Sequence, residues 1–108
     1  MECVILESPY AGDIEENVTY AREAIRDSLS RGEAPIASHL LYTQEGILDD
    51  SIPEERDWGI AAGLSWLAVC GKTVVYMDLG ASKGILYGVE SAARNGNVVE
   101  YRYIRGGV

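Results

Sequence analysis

Four short apolar runs punctuate the chain, and the longer stretches between them carry apolar residues at helical spacing. From Glu2 to Leu6 the run is near-continuous, the pattern of a central parallel strand covered on both faces. It breaks at Ser8-Pro9-Tyr10-Ala11-Gly12-Asp13, a set of small, turn-forming residues. Asp13, with Glu16 three residues on, makes a capping-box-like helix start. Ile14, Val18, Ala21, Ile25 and Leu29 then recur as one stripe expected to be buried, and Gly32 ends the helix. Ala34 to Ala37 reads as a short second strand, followed by a long connection from Ser38 to Asp50.

Ser51 and Glu54 have the spacing of a second capping box, with Pro53 in the first turn of a helix expected to reach about Cys70. That helix is apolar on two sides: Ile60, Leu64 and Leu67 form one stripe, and Trp58, Ala62, Trp66 and Val69 the other. A helix apolar on two sides has to bury both, and one sheet covers only one. A second chain over the Trp58 and Trp66 face is therefore expected, giving a homodimer or larger assembly. Thr73 to Met77 is the third strand; Asp78-Leu79-Gly80-Ala81-Ser82-Lys83-Gly84 is a second small-residue turn. A third helix with Ile85, Val89 and Ala92 inward stops at Asn95-Gly96, and Val98 to Ile104 is the last strand, with a loose Gly-Gly-Val tail.

The order β-α-β-α-β-α-β with right-handed crossovers predicts a three-layer α/β/α sandwich, flavodoxin- or Rossmann-like, around a parallel sheet of about four strands. The first and third turns then lie side by side at the carboxyl edge, where such sheets bind ligands, with His39 and its loop as a lid. The chain of 108 residues is the size of one domain, expected to span residues 1–108.

The net charge of -8 repels polyanions, so a nucleic acid polymer or an anionic membrane is disfavoured as a partner. No apolar stretch is long enough to span a bilayer, and Glu2 and Glu7 interrupt the only apolar N-terminal run, so a cytoplasmic protein is expected. Cys3 and Cys70 lie in apolar runs and read as reduced core thiols; their spacing suggests no metal site.

Candidate chemistry gathers at the two turns. Ser82, in the turn Ser82-Lys83-Gly84, is an N-cap candidate that either simply caps its helix or, with the free amides of that turn, seats a phosphate; the same two readings apply to Gly12-Asp13. The first turn is too short for a phosphate-cradling GxxxxGK loop, and no GxGxxG follows the first strand. Tyr10 can stack on a base or donate to a carboxylate, or pack as a half-buried ring. Ser8 and Asp78 border the same two turns. His39 is the only histidine, and no residue pattern places a nucleophile beside it. Glu90 on the third helix can attack a sugar carbon, or pair with Arg94 at i, i+4 as an exposed acid. Asp57 reads as a first-turn acid or as a cleft residue.

Five stretches, Ser8 to Asp13, Ala34 to Gln44, Leu48-Asp49-Asp50, Pro53-Glu54-Glu55-Arg56 and Asp78 to Gly84, together resemble the nucleoside 2-deoxyribosyltransferase-like family, especially its small bacterial and phage members of unassigned function. The resemblance implies a flavodoxin-like fold and dimers in which a neighbouring subunit helps complete each pocket. It implies a transferase or hydrolase acting at the N-glycosidic bond of a deoxynucleoside or nucleoside monophosphate, with no metal or organic cofactor. It further implies a nucleophilic Glu on the third helix, a first-turn tyrosine assisting it and a serine holding phosphate. The tyrosine falls on Tyr10 and the serine on Ser82.

Counted from Gly84, the nucleophile position falls on Gly88, and Glu90 comes two residues later, about 200° around a helix. The second acidic position falls near Gly63, with Asp57 upstream. Either Glu90 is recruited as the catalytic carboxylate through a shift of the helix, with Tyr10 and Asp57, or the pocket binds a nucleotide without cutting it, to sense or sequester it. A purely structural or protein-binding role through the Trp58 and Trp66 face is the third reading.

Overall fold

The computed structural model describes residues 1–106; Gly107 and Val108, the end of the tail expected to be loose, lie outside the described residues. Four strands, β1 (Glu2–Glu7), β2 (Glu33–Ile36), β3 (Lys72–Tyr76) and β4 (Val98–Arg102), pair in parallel in the order β2-β1-β3-β4. Between them run α1 (Ile14–Ser30), the one-turn α2 (Ser38–Leu41), α3 (Pro53–Ser65) and α4 (Lys83–Arg94). This is the expected α/β sandwich. Because side chains alternate along a strand, β1 sends Val4 and Leu6 to one face and Ile5 and Glu7 to the other. Val4, Leu6, Val74 and Tyr76 pack with Tyr20 and Ala24 of α1 into the main core. The opposite face carries α3 and α4.

Several local expectations are corrected. Helix α1 buries Asn17, Tyr20, Ala21, Ala24 and Ser28, whereas Ile14 and Leu29 are about half exposed. The buried face is rotated from the aliphatic stripe because Tyr20, fully buried, fills the space over Val4 and Leu6 while its hydroxyl reaches Asp78 at 2.6 Å. Asp13 does cap α1, accepting from the Glu16 amide at 3.2 Å. Ser51 does not cap α3; its amide and hydroxyl both donate to Asp49, and Ile52 stands at the N-cap, with Pro53 opening the helix. The α-helix ends at Ser65 and tightens to a 3₁₀ turn over Trp66–Ala68. Part of the long connection is itself helical, as α2, which lies close against α3. Its closeness depends on Gly63, where a Cβ would sit 2.5 Å from the Ser38 hydroxyl oxygen and 3.1 Å from its Cβ.

Cys3 and Cys70 form a disulfide, with Cα atoms 5.1 Å apart, in place of the two reduced thiols expected. The parallel pairing of β1 with β3 is what sets them side by side. Beneath α1, the guanidinium of Arg102 meets both Glu33 carboxylate oxygens at 2.7 Å and donates to the Tyr76 hydroxyl at 3.0 Å. That hydroxyl donates in turn to Asp27, Ser28 donates to Glu33, and Arg102 also contacts Glu100. The network ties the two edge strands β2 and β4 to α1. Among the described residues, no helix is long and apolar enough to cross a membrane.

Candidate functional site

The strand order reverses between β1 and β3, and ligands of open α/β sheets bind at the carboxyl ends of strands at such a point. A cavity of about 670 Å³ lies there, bounded by the turn after β1, by α2 and α3, and by the start of α4. Its size suits a small organic ligand. The turn after β1 is fixed from below: Asn17, buried in α1, donates its side-chain amide to the carbonyls of Tyr10 and Ala11 at 2.8 and 3.1 Å. Gly12 has φ of +103°, a backbone conformation that L side chains rarely adopt, and this lets the chain turn from Tyr10 into α1.

Six of the ten residues singled out from the sequence line this cavity: Ser8, Tyr10, His39, Asp57, Ser82 and Gly84. Ser8 and His39 form a pair, Oγ to Nε2 at 2.6 Å, that joins the β1 turn to α2. Burial pushes His39 down to about 4, so the ring is neutral at physiological pH and acts as a hydrogen-bonding group rather than a cation. Ser82 caps α4, accepting from the Ile85 amide at 3.2 Å; the amides of Lys83 and Gly84 before it have no partner within the helix, and both residues line the cavity.

The other four lie elsewhere. Gly12 and Asp13 are exposed and serve the turn and the cap of α1. Asp78 is a structural tie: it accepts from the Tyr20 hydroxyl and from the amides of Ile104 and Arg105. These bonds outweigh its partial burial and hold its carboxyl below the usual range. Glu90 is exposed on α4 and pairs with Arg94 at 4.0 Å, outside the cavity lining. A shift of register bringing it inward is absent, because Ile85 and Ala92 already hold the buried face of α4.

Four acids line the cavity, Asp50, Glu55, Asp57 and Glu7, and of these Glu7 is the one carried on the sheet, at the end of β1. Burial pushes it up to about 7, and among the described residues neither a hydrogen bond nor a neighbouring charge opposes the shift. It fills the space above Gly88: a Cβ added there would sit 2.8 Å from the Glu7 carboxyl carbon and overlap Oε2. Two signals in the sequence point to this pair. Strand alternation puts Glu7 on the same face as Ile5, and Gly88 stands three residues after inward-facing Ile85, where a side chain is expected.

The fold is that of the 2-deoxyribosyltransferases. A 2-deoxyribosyltransferase from Bacillus psychrosaccharolyticus superposes with a TM-score of 0.66 at 17% identity, over 98% of this chain and 75% of that one. A second, from Leishmania mexicana, gives 0.62 at 11% identity, over 95% of this chain and 65% of that one. The chain itself belongs to the family described as a domain of unknown function, DUF7768, whose sequence model matches residues 2–102. No curated protein matches it.

Proposed function

We propose that the cavity binds a nucleoside or nucleotide and that the protein acts at its N-glycosidic bond, by transfer of the sugar to another base or to water. The observation that carries this reading is the meeting of Tyr10 and Ser82 across one 670 Å³ hollow, with His39 and Asp57 on the same lining. Tyr10 supplies an aromatic face for a base, and Ser82 with the first amides of α4 seats a 5′-phosphate. No metal or organic cofactor is required by this chemistry. Incubation of the protein with each deoxynucleoside and its 5′-monophosphate, with and without a second free base, is expected to release or exchange base from at least one. Absence of release and exchange across the whole panel overturns the reading.

The position of Glu90 outside the cavity favours a second reading, a pocket that senses or sequesters a nucleotide. Thermal stabilisation by a panel member without turnover distinguishes it.

The Trp58 face is proposed to meet a second copy of the chain. Helix α3 buries none of its residues, and Trp58 is 68% and Val69 71% exposed, while Trp66 turns inward to donate to the Tyr42 hydroxyl at 3.1 Å. Sedimentation is expected to give a dimer for the native chain and a monomer for Trp58→Lys; a native monomer at micromolar concentration contradicts it.

A further inference from the structure

We propose that Glu7, carried on β1, is the catalytic carboxylate of this cavity and attacks the anomeric carbon of the bound sugar, with Gly88 left bare to make room for it. The assignment rests on the glycosidic reading above. Its basis is geometric. Glu7 is the acidic side chain that rises from the sheet into the cavity, between the Ser8-to-Ala11 turn and α4. Its carboxyl lies where a side chain at Gly88 would project, so helix and strand offer one carboxylate-sized place between them and the strand fills it. The group is ungripped: among the described residues no hydrogen bond or charge perturbs it, whereas buried Glu33 is held by Arg102 and Ser28. A buried acid that serves only the fold is normally paired. An unpaired one aimed into a ligand-sized cavity is free to engage a substrate, and partial burial raises its basicity toward neutral pH.

In the reaction, a carboxylate oxygen of Glu7 forms a bond to C1′ as the bond from C1′ to the base nitrogen breaks. The bonding pair leaves on the base, which takes a proton from water. The sugar is then held as an ester of Glu7. Attack at C1′ by water, or by the nitrogen of a second base, breaks the ester, returns the carboxylate and releases one proton. The acceptor is therefore water for a hydrolase and a free base for a transferase.

The test compares native protein, Glu7→Gln, Glu90→Gln and the exchange variant Glu7→Gly with Gly88→Glu, each checked for folding by thermal melting. The substrate is whichever deoxynucleoside or monophosphate the native protein turns over. Glu7→Gln is expected to lose at least about a thousandfold in rate, as removal of a reacting group does, and Glu90→Gln to stay within about twofold. The exchange variant is expected to regain at least tenfold over Glu7→Gln, roughly 1.4 kcal/mol of barrier, because its carboxylate returns to the same space from the helix. Acid quenching during turnover, followed by peptide mass mapping, is expected to find a pentosyl ester on the peptide carrying Glu7. Turnover that survives in Glu7→Gln, or an ester on another residue, overturns the assignment while leaving the glycosidic reading intact. No turnover by native protein overturns that reading and the assignment with it.

Discussion

Replacing Arg102 with methionine is expected to cost about 3–5 kcal/mol, a large share of the stability of a domain this size. The Arg102 and Glu33 side chains are only 4% and 8% exposed, and the guanidinium spans both carboxylate oxygens and the Tyr76 hydroxyl. Removing the cation leaves a carboxylate in a place water barely reaches. Lys72, 3.6 Å from Glu33, compensates only in part because its ammonium is drawn to Glu100 at 3.0 Å.

The hydrogen bonds from Arg102 are the leading cause that holds Glu33 down to about 2. Glu33 therefore contributes stability that is present above about 4.5 and lost as pH falls through about 2. Urea denaturation of Arg102→Met is expected to show the loss at pH 7 and a flatter acid limb. Adding Glu33→Gln to it is expected to recover part of the loss, since no charge is then stranded. A cost under about 1 kcal/mol would mean that the pair behaves as a solvated surface bridge.

Glu7→Gln is expected to move stability the other way. The Glu7 carboxyl is raised from 4.5 to about 7, so the folded chain keeps a proton that the unfolded chain releases. The stability associated with that proton is whole below about 4.5 and is lost as pH rises through about 7. At pH 8 the native protein carries a half-buried, unpaired carboxylate at a cost of about 3 kcal/mol. Glutamine removes that cost, so the variant is expected to be more stable than native protein at pH 8 and equal to it near pH 4. Urea midpoints at the two pH values check this. Equal stability at both would show a carboxylate already hydrated. A residue that weakens the fold at working pH is what a site under functional demand contains, and here the same substitution is expected to stabilise the chain and stop turnover.

Much of the site was legible because its two walls are local features. The break from Leu6 and Glu7 into Ser8-Pro9-Tyr10 and the Ser82 cap before Ile85 are each written within a few residues, and both face the cavity. Asp78 misleads because an acid in a strand-end turn looks the same whether it meets a ligand or, as here, Tyr20 and two backbone amides from the far end of the chain. Tyr20 and Asn17 stand outside the aliphatic stripe of α1, yet both are buried, because polar tips are tolerated inside when they find partners, as theirs do. The disulfide is hidden because its two cysteines, 67 residues apart, meet only through strand pairing.

What the sequence determined by itself is the alternation of strands and helices, the parallel sheet they form and the turns at its carboxyl edge. These follow from side-chain period, capping and turn chemistry, all of which act over a few residues. Only the tertiary structure decided that an acid of the sheet, Glu7, joins the cavity lining. Glu7 and Gly88 are far apart along the chain, and although each is marked locally, neither mark says that the strand's carboxylate will fill the gap the helix leaves. That outcome depends on the packing of α4 over the end of β1, a property of two surfaces in contact and not of either segment alone.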